Sequence, residues 1–150
     1  MPIGVLICAF AVFAWIAAPR SILSTLGFVG IFLFSIGYVG SAFFRCDFGC
    51  RPDNPSFSQM MHEFVGLSGY LFAPLTLLLL GLAAWKWPGG VWLSVLSFVV
   101  AASALVGLGG LMDPDSPQVG LYQRVLEASV LSWVVACSHY LGLQKKTAAP

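Results

Sequence analysis

Residues Val91 to Met112 read VWLSVLSFVVAASALVGLGGLM, with no charged side chain anywhere in the run. A helix needs roughly 20 apolar residues to cross the hydrocarbon core of a bilayer. In lipid the backbone has to satisfy its own hydrogen bonds, so a continuous apolar run of this length predicts a membrane-spanning helix. Polar turns bound it. Trp85-Lys-Trp-Pro-Gly-Gly90 precedes it and Met112-Asp-Pro-Asp-Ser-Pro117 follows.

Outward from that run the pattern repeats. Pro2 to Ala18 is closed by Pro19-Arg20, Ile22 to Phe44 precedes a cysteine-containing loop, and Ser58 to Ala84 leads into the tryptophan turn. Gly120 to Leu143 is followed by Lys145 and Lys146. The runs are continuous rather than alternating, which excludes the strands of a membrane barrel. The first lacks a basic residue ahead of its apolar stretch, so it reads as a span rather than a signal peptide, though a short one. The expectation is an all-α, single-domain bundle of five transmembrane helices over residues 1–150.

Composition agrees. Hydrophobic residues make up 59% and charged residues 9%, with mean hydropathy +0.90. A soluble domain carries about 25% charged residues, so this chain lacks the polar surface a water-soluble globule needs. Its partner is therefore the lipid bilayer. A net charge of +1 supplies no basic patch and excludes nucleic acid as a partner class.

The charges are unevenly placed. All six acidic residues and three of the seven basic ones lie in or beside two polar segments. One is Arg45-Cys-Asp-Phe-Gly-Cys-Arg-Pro-Asp53 with His62 and Glu63; the other is Met112 to Pro117 with Gln123, Arg124 and Glu127. With five spans, Arg20, Lys86, Lys145 and Lys146 share one side. The positive-inside rule makes that side cytoplasmic, with the amino terminus and both polar segments outside. Trp85, Trp87 and Trp92 fit an aromatic belt at the inner boundary. The tail from Lys145 to Pro150 reads as disordered.

Lipid tails are as apolar as leucine, so helices associate through close packing and polar contacts. Small residues recur at spacings of three and four: Gly27, Gly30, Gly37 and Ser41 on the second run, Gly66, Gly69, Ala73 and Thr76 below His62 on the third, and Ser103, Gly107 and Gly110 on the fourth. These stripes predict packing seams. The competing reading is room for a lipid tail or cofactor.

In the outer loop, Gly49 lets the chain turn tightly enough to bridge Cys46 and Cys50, in a compartment that permits disulfides. A redox-active pair and a metal pair are the weaker alternatives. Cys8 and Cys137 read as small buried apolar residues. His62 reads either as a core histidine bonded to Asp47 or a loop carbonyl, or as a base or ligand donor. His139 belongs at the opposite boundary, too far away to share a haem. Glu63 lies about 100° around the helix from His62. Arg124 and Glu127, or Gln123 and Glu127, pair along the last helix. Arg124 is expected to meet Asp47, with Asp113 the rival partner and His62 close by; the alternative is an anion site on Arg124. A Ser56 or Ser58, His62, Asp47 triad and a zinc site from Asp47, His62, Glu63 and Asp113 lack any specific spacing.

Phe44-Arg-Cys-Asp-Phe-Gly-Cys50, then His62, then Gly120-Leu-Tyr-Gln-Arg124 with Trp133 beyond it, resembles a family of uncharacterised prokaryotic multi-pass membrane proteins, domain of unknown function 998. The resemblance covers roughly Gly27 to Leu143. It implies that Cys46, Asp47, Cys50, His62, Gln123 and Arg124 belong to one site in a prokaryotic cytoplasmic membrane. Members usually carry six spans, and the sixth is expected at the amino end. The resemblance supplies no activity and no cofactor.

Two functions fit. In one, an outward-facing polar pocket braced by the disulfide binds a lipid headgroup or small amphiphile. In the other, the chain is an accessory subunit and its polar cluster and glycine stripes are structural. A carrier is disfavoured by the lack of an inverted repeat.

Overall fold

The computed structural model describes residues 2–50, 52–113 and 116–147, with side chains through Lys145. Arg51, Asp115, the Lys146 side chain and the 148–150 tail, each invoked above, lie outside the described residues. Among the described residues there are five helices: α1 (Pro2–Ala17), α2 (Ile22–Phe43), α3 (Phe57–Ala84), α4 (Val91–Leu111) and α5 (Val119–Thr147). One 3-10 turn, Phe48–Cys50, sits in the loop between α2 and α3. Among the described residues there is no strand.

Local chemistry sets the ends. Ser21 and Ser24 form a reciprocal capping box that starts α2. Ser56 caps α3 by accepting from the Gln59 N–H. Phe44 turns to extended backbone (φ −92°, ψ 99°) and stops α2. Inside α3, Pro74 has no N–H to give the Tyr70 carbonyl, its partner one turn back.

Four helices, α2 to α5, are long and apolar enough to cross a membrane. The first helix is the short one expected: α1 has 16 residues, which rise about 24 Å, against a core of about 30 Å. It lies antiparallel along α2. Gly4 faces Tyr38 and Val39, the Cys8 thiol meets the Ser35 hydroxyl at 2.9 Å, and the Trp15 indole donates to Thr25. Cys8 is thus half-buried and polar-bonded, while Cys137 is fully buried as expected.

The seams form where the small residues lie. In the α2–α3 seam Gly37 approaches Gly69 closely: a Cβ on Gly69 would stand 3.3 Å from the Phe34 carbonyl oxygen and 3.5 Å from the Gly37 Cα. One turn further in, a Cβ on Gly30 would land on the Thr76 hydroxyl. Gly107 and Gly110 seat Leu126 and Tyr122 in the α4–α5 seam. Polar side chains join the helices where they meet. Ser94 donates to the Gly81 carbonyl at 2.7 Å and the buried Trp133 indole to the Ser97 hydroxyl at 2.7 Å.

The two ends of the bundle differ. At one, Tyr140 and Gln144 donate to the Pro88 carbonyl, and Trp87 stacks between Phe28 and Tyr140. Trp87 is only 4% exposed, so it belongs to the core and not to a lipid-facing belt; Trp85 and Trp92 remain exposed. At the other end both polar segments converge.

Candidate functional site

The outer loop is built on a disulfide and a chain of side-chain hydrogen bonds. Cys46 and Cys50 are bridged, with their Cα atoms 5.1 Å apart. Gly49 has φ 79° and an added Cβ would meet nothing within 4 Å, so its need for glycine is conformational rather than steric. The Cys50 N–H donates to the Asp47 carbonyl at 2.8 Å, closing the turn. The Asp47 carboxylate accepts from the Ser56 N–H at 2.9 Å and the Ser56 hydroxyl at 2.7 Å. Those donors, the backbone N–H first, hold its carboxyl below the ordinary carboxylate range.

Gln59 carries that order inward. It is 1% exposed and fully engaged. Its Oε1 accepts from the Asp47 N–H at 2.8 Å, while its Nε2 donates to the Cys50 carbonyl at 3.2 Å and to Glu63 at 2.5 Å. His62 lies 2.7 Å through Nδ1 from the Phe44 carbonyl. A carbonyl only accepts, so Nδ1 carries the proton. That is the loop-carbonyl form of the expected core histidine.

Below the loop is a cavity of about 490 Å³ between α2, α3 and the facing ends of α4 and α5. His62, Glu63, Gln123 and Glu127 give it polar walls; Phe34, Leu67 and Leu111 give it apolar ones. Gly66 leaves room for it, because a Cβ there would meet only the Ser41 hydroxyl, at 3.4 Å. Glu127 lies about two turns into α5. Its Oε1 accepts from the Tyr70 hydroxyl at 2.5 Å and from Gln123 Nε2 at 3.0 Å, and Gln123 also donates to Tyr70 at 3.0 Å. Tyr38 lines the cavity together with this carboxylate.

The expected residues therefore separate. Cys50, His62, Glu63 and Gln123 line the cavity. Cys46 and Asp47 brace it from behind, through the loop and Gln59. The expected meeting of Asp47 with Arg124 is not formed. Gln123 and Arg124 are neighbours, about 100° apart on α5, so only one faces inward. Arg124 turns back along its own helix and donates to the Gly120 carbonyl at 2.8 Å, exposed. Asp47 has already committed both carboxylate oxygens to Ser56. The expected Arg124–Glu127 pair also yields, to Gln123 and Tyr70. Asp113 ends the α4 connection, and its carbonyl accepts from the Ser116 N–H at 3.2 Å.

Neither alternative chemistry is assembled. Ser56 donates to Asp47 and Ser58 to the Arg45 carbonyl, so neither reaches His62 as a triad nucleophile does. Among the described residues no three His, Cys, Asp or Glu side chains group to hold a metal ion. Gln59, Tyr38, Tyr70 and the inward role of Glu127 were not anticipated. The signal was there in the spacing. Gln59, Glu63, Gly66 and Tyr70 follow one another at four, three and four, and Val119, Gln123 and Glu127 at four, each set on one helical stripe.

A model of the family described as protein of unknown function (DUF998) matches residues 1–140. No curated protein and no solved structure matches the chain.

Proposed function

Because the chain belongs to the DUF998 family of proteins of unknown function, we propose its function from its cavity: it binds a small amphiphile at the polar end of a membrane-spanning bundle. One observation carries this reading. A cavity of about 490 Å³ has polar walls at His62, Glu63, Gln123 and Glu127 and apolar walls at Phe34, Leu67 and Leu111. Small-molecule sites run from about 300 to 1,000 Å³ and combine apolar lining with a few convergent polar groups. A ligand with a polar end and a hydrocarbon part matches both kinds of wall. The disulfide loop forms the rim, since Cys50 lines the cavity and its carbonyl holds Gln59.

We place the protein in a prokaryotic cytoplasmic membrane with the cavity outside. Arg20 and Lys86 lie in the turns at the end remote from the cavity, and Lys145 lies in the last turns of α5 at that end. Mild solubilisation followed by weighing the intact particle tests the reading. A retained small molecule supports the pocket. A stoichiometric second protein with no retained small molecule contradicts it and favours an accessory subunit.

A further inference from the structure

We propose that the cavity selects amphiphiles whose polar end is a protonated amine, an alkylammonium ion held between the Phe34, Tyr38 and Tyr70 rings and the Glu63 and Glu127 carboxyl groups. The inference rests on the reading of the cavity as a ligand site and names the class of ligand.

Two independent features of the walls point the same way. The first is charge. Glu63 and Glu127 line the cavity, and among the described lining residues there is no Lys or Arg. Arg124, next to the lining Gln123 on α5, is turned to the Gly120 carbonyl. A phosphate, sulfate or carboxylate headgroup would meet two acids and no described Lys or Arg. The groups that bond Glu127, from Tyr70 and Gln123, are both neutral. A carboxyl group at this depth in a spanning helix is costly and marks a functional site.

The second feature is aromatic. Phe34 sits between Tyr38 and Tyr70, with ring centroids 5.2 and 6.0 Å away, and all three residues line the cavity. Ring faces attract cations, and recognition of ammonium groups by clustered aromatic rings is the functional use of that attraction. A neutral alcohol finds hydrogen-bond acceptors in the same place but gains neither the charge attraction nor the ring contact. The hydrocarbon part then lies along Leu67, Leu111 and Val119.

The test titrates the purified full chain, in a non-ionic detergent, with octylammonium, octanol and octyl sulfate below their micelle-forming concentrations. Dissociation constants are read from intrinsic fluorescence. Octylammonium is expected to bind at least about tenfold more tightly than octanol, a difference within the reach of one desolvated cation–ring contact. Octyl sulfate is expected to bind worst. Glu127→Gln should erase most of the ammonium preference and leave octanol binding in place. Tyr38→Leu, which spares the Gln123–Tyr70–Glu127 bonds, should weaken octylammonium several-fold more than octanol. Equal binding of octanol, or tighter binding of octyl sulfate, overturns the amine assignment and leaves the pocket reading standing. Failure of every octyl probe to bind overturns both. If either variant loses its helicity, the wild-type preference alone decides.

Discussion

Gln59 is the side chain through which the outer loop and the cavity communicate. Its amide touches Asp47, Cys50 and Glu63 at once. Replacing it with leucine keeps the volume but strands the Asp47 N–H and the Cys50 carbonyl. A buried group left without its partner costs about 1–3 kcal/mol, so Gln59→Leu is expected to lower the thermal unfolding midpoint in detergent by that order; an unchanged midpoint contradicts the role. Asp47 adds a pH dependence with a definite sign. Its folded pKa is depressed by the Ser56 N–H and hydroxyl. The loop stabilisation it gives is therefore complete above the ordinary carboxylate value and is lost only as pH falls through the lower, folded value. Amide protection across Asp47 to Ser56, taken as exchange relative to the intrinsic rate at each pH, should stay constant from neutral pH to the ordinary carboxylate range and fall below it. Asp47→Asn should raise exchange already at neutral pH. The sequence singled out Asp47, His62 and the two cysteines because they interrupt an apolar chain. It could not show where Arg124 points. Gln123 stands four residues from Glu127 and Arg124 three, so both share a helix face with it, and the stripe through Val119 and Gln123 is the one that turns inward.

At the scale of the helices, the seams were legible because lipid leaves few other means of association: small residues three and four apart let backbones approach. The Gly30–Thr76 crossing tests that physics. Gly30→Ala places a methyl group on the Thr76 hydroxyl, and overpacking of this kind costs about 1–3 kcal/mol. Thr76→Ala should return part of that loss when combined with it, so thermal unfolding of the four proteins should be non-additive. Additive losses would mean that the two residues do not meet. The extent of the first helix was legible and the place of Trp87 was not. The run from Pro2 to Ala18 is a helix over Pro2–Ala17, ending where the Pro19 to Ser21 turn into the α2 cap begins. By residue type Trp87 is a belt tryptophan, yet the tight turn at Pro88 and Gly89 folds it back between Phe28 and Tyr140.

For the molecule as a whole, the two ends carry different chemistry: cationic turns at one and an acid-lined cavity at the other. With four crossing helices, α2 to α5, the carboxyl end lies on the same side as Arg20. A reporter fused there should be active in the cytoplasm and silent outside it; the reverse result would place the cavity inside. The central claim is that the cavity is occupied in the working protein. The most direct measurement compares the small molecules retained by gently solubilised wild-type protein and by Gly66→Phe, using native mass spectrometry. Gly66 lines the cavity, and its Cβ direction is open except for the Ser41 hydroxyl at 3.4 Å, so a phenyl ring there fills the space a ligand would use. The account predicts a bound mass of small-molecule size on the wild-type chain that is lost from a folded Gly66→Phe protein. A wild-type chain that retains nothing, or a filled variant that retains the same mass, would contradict it.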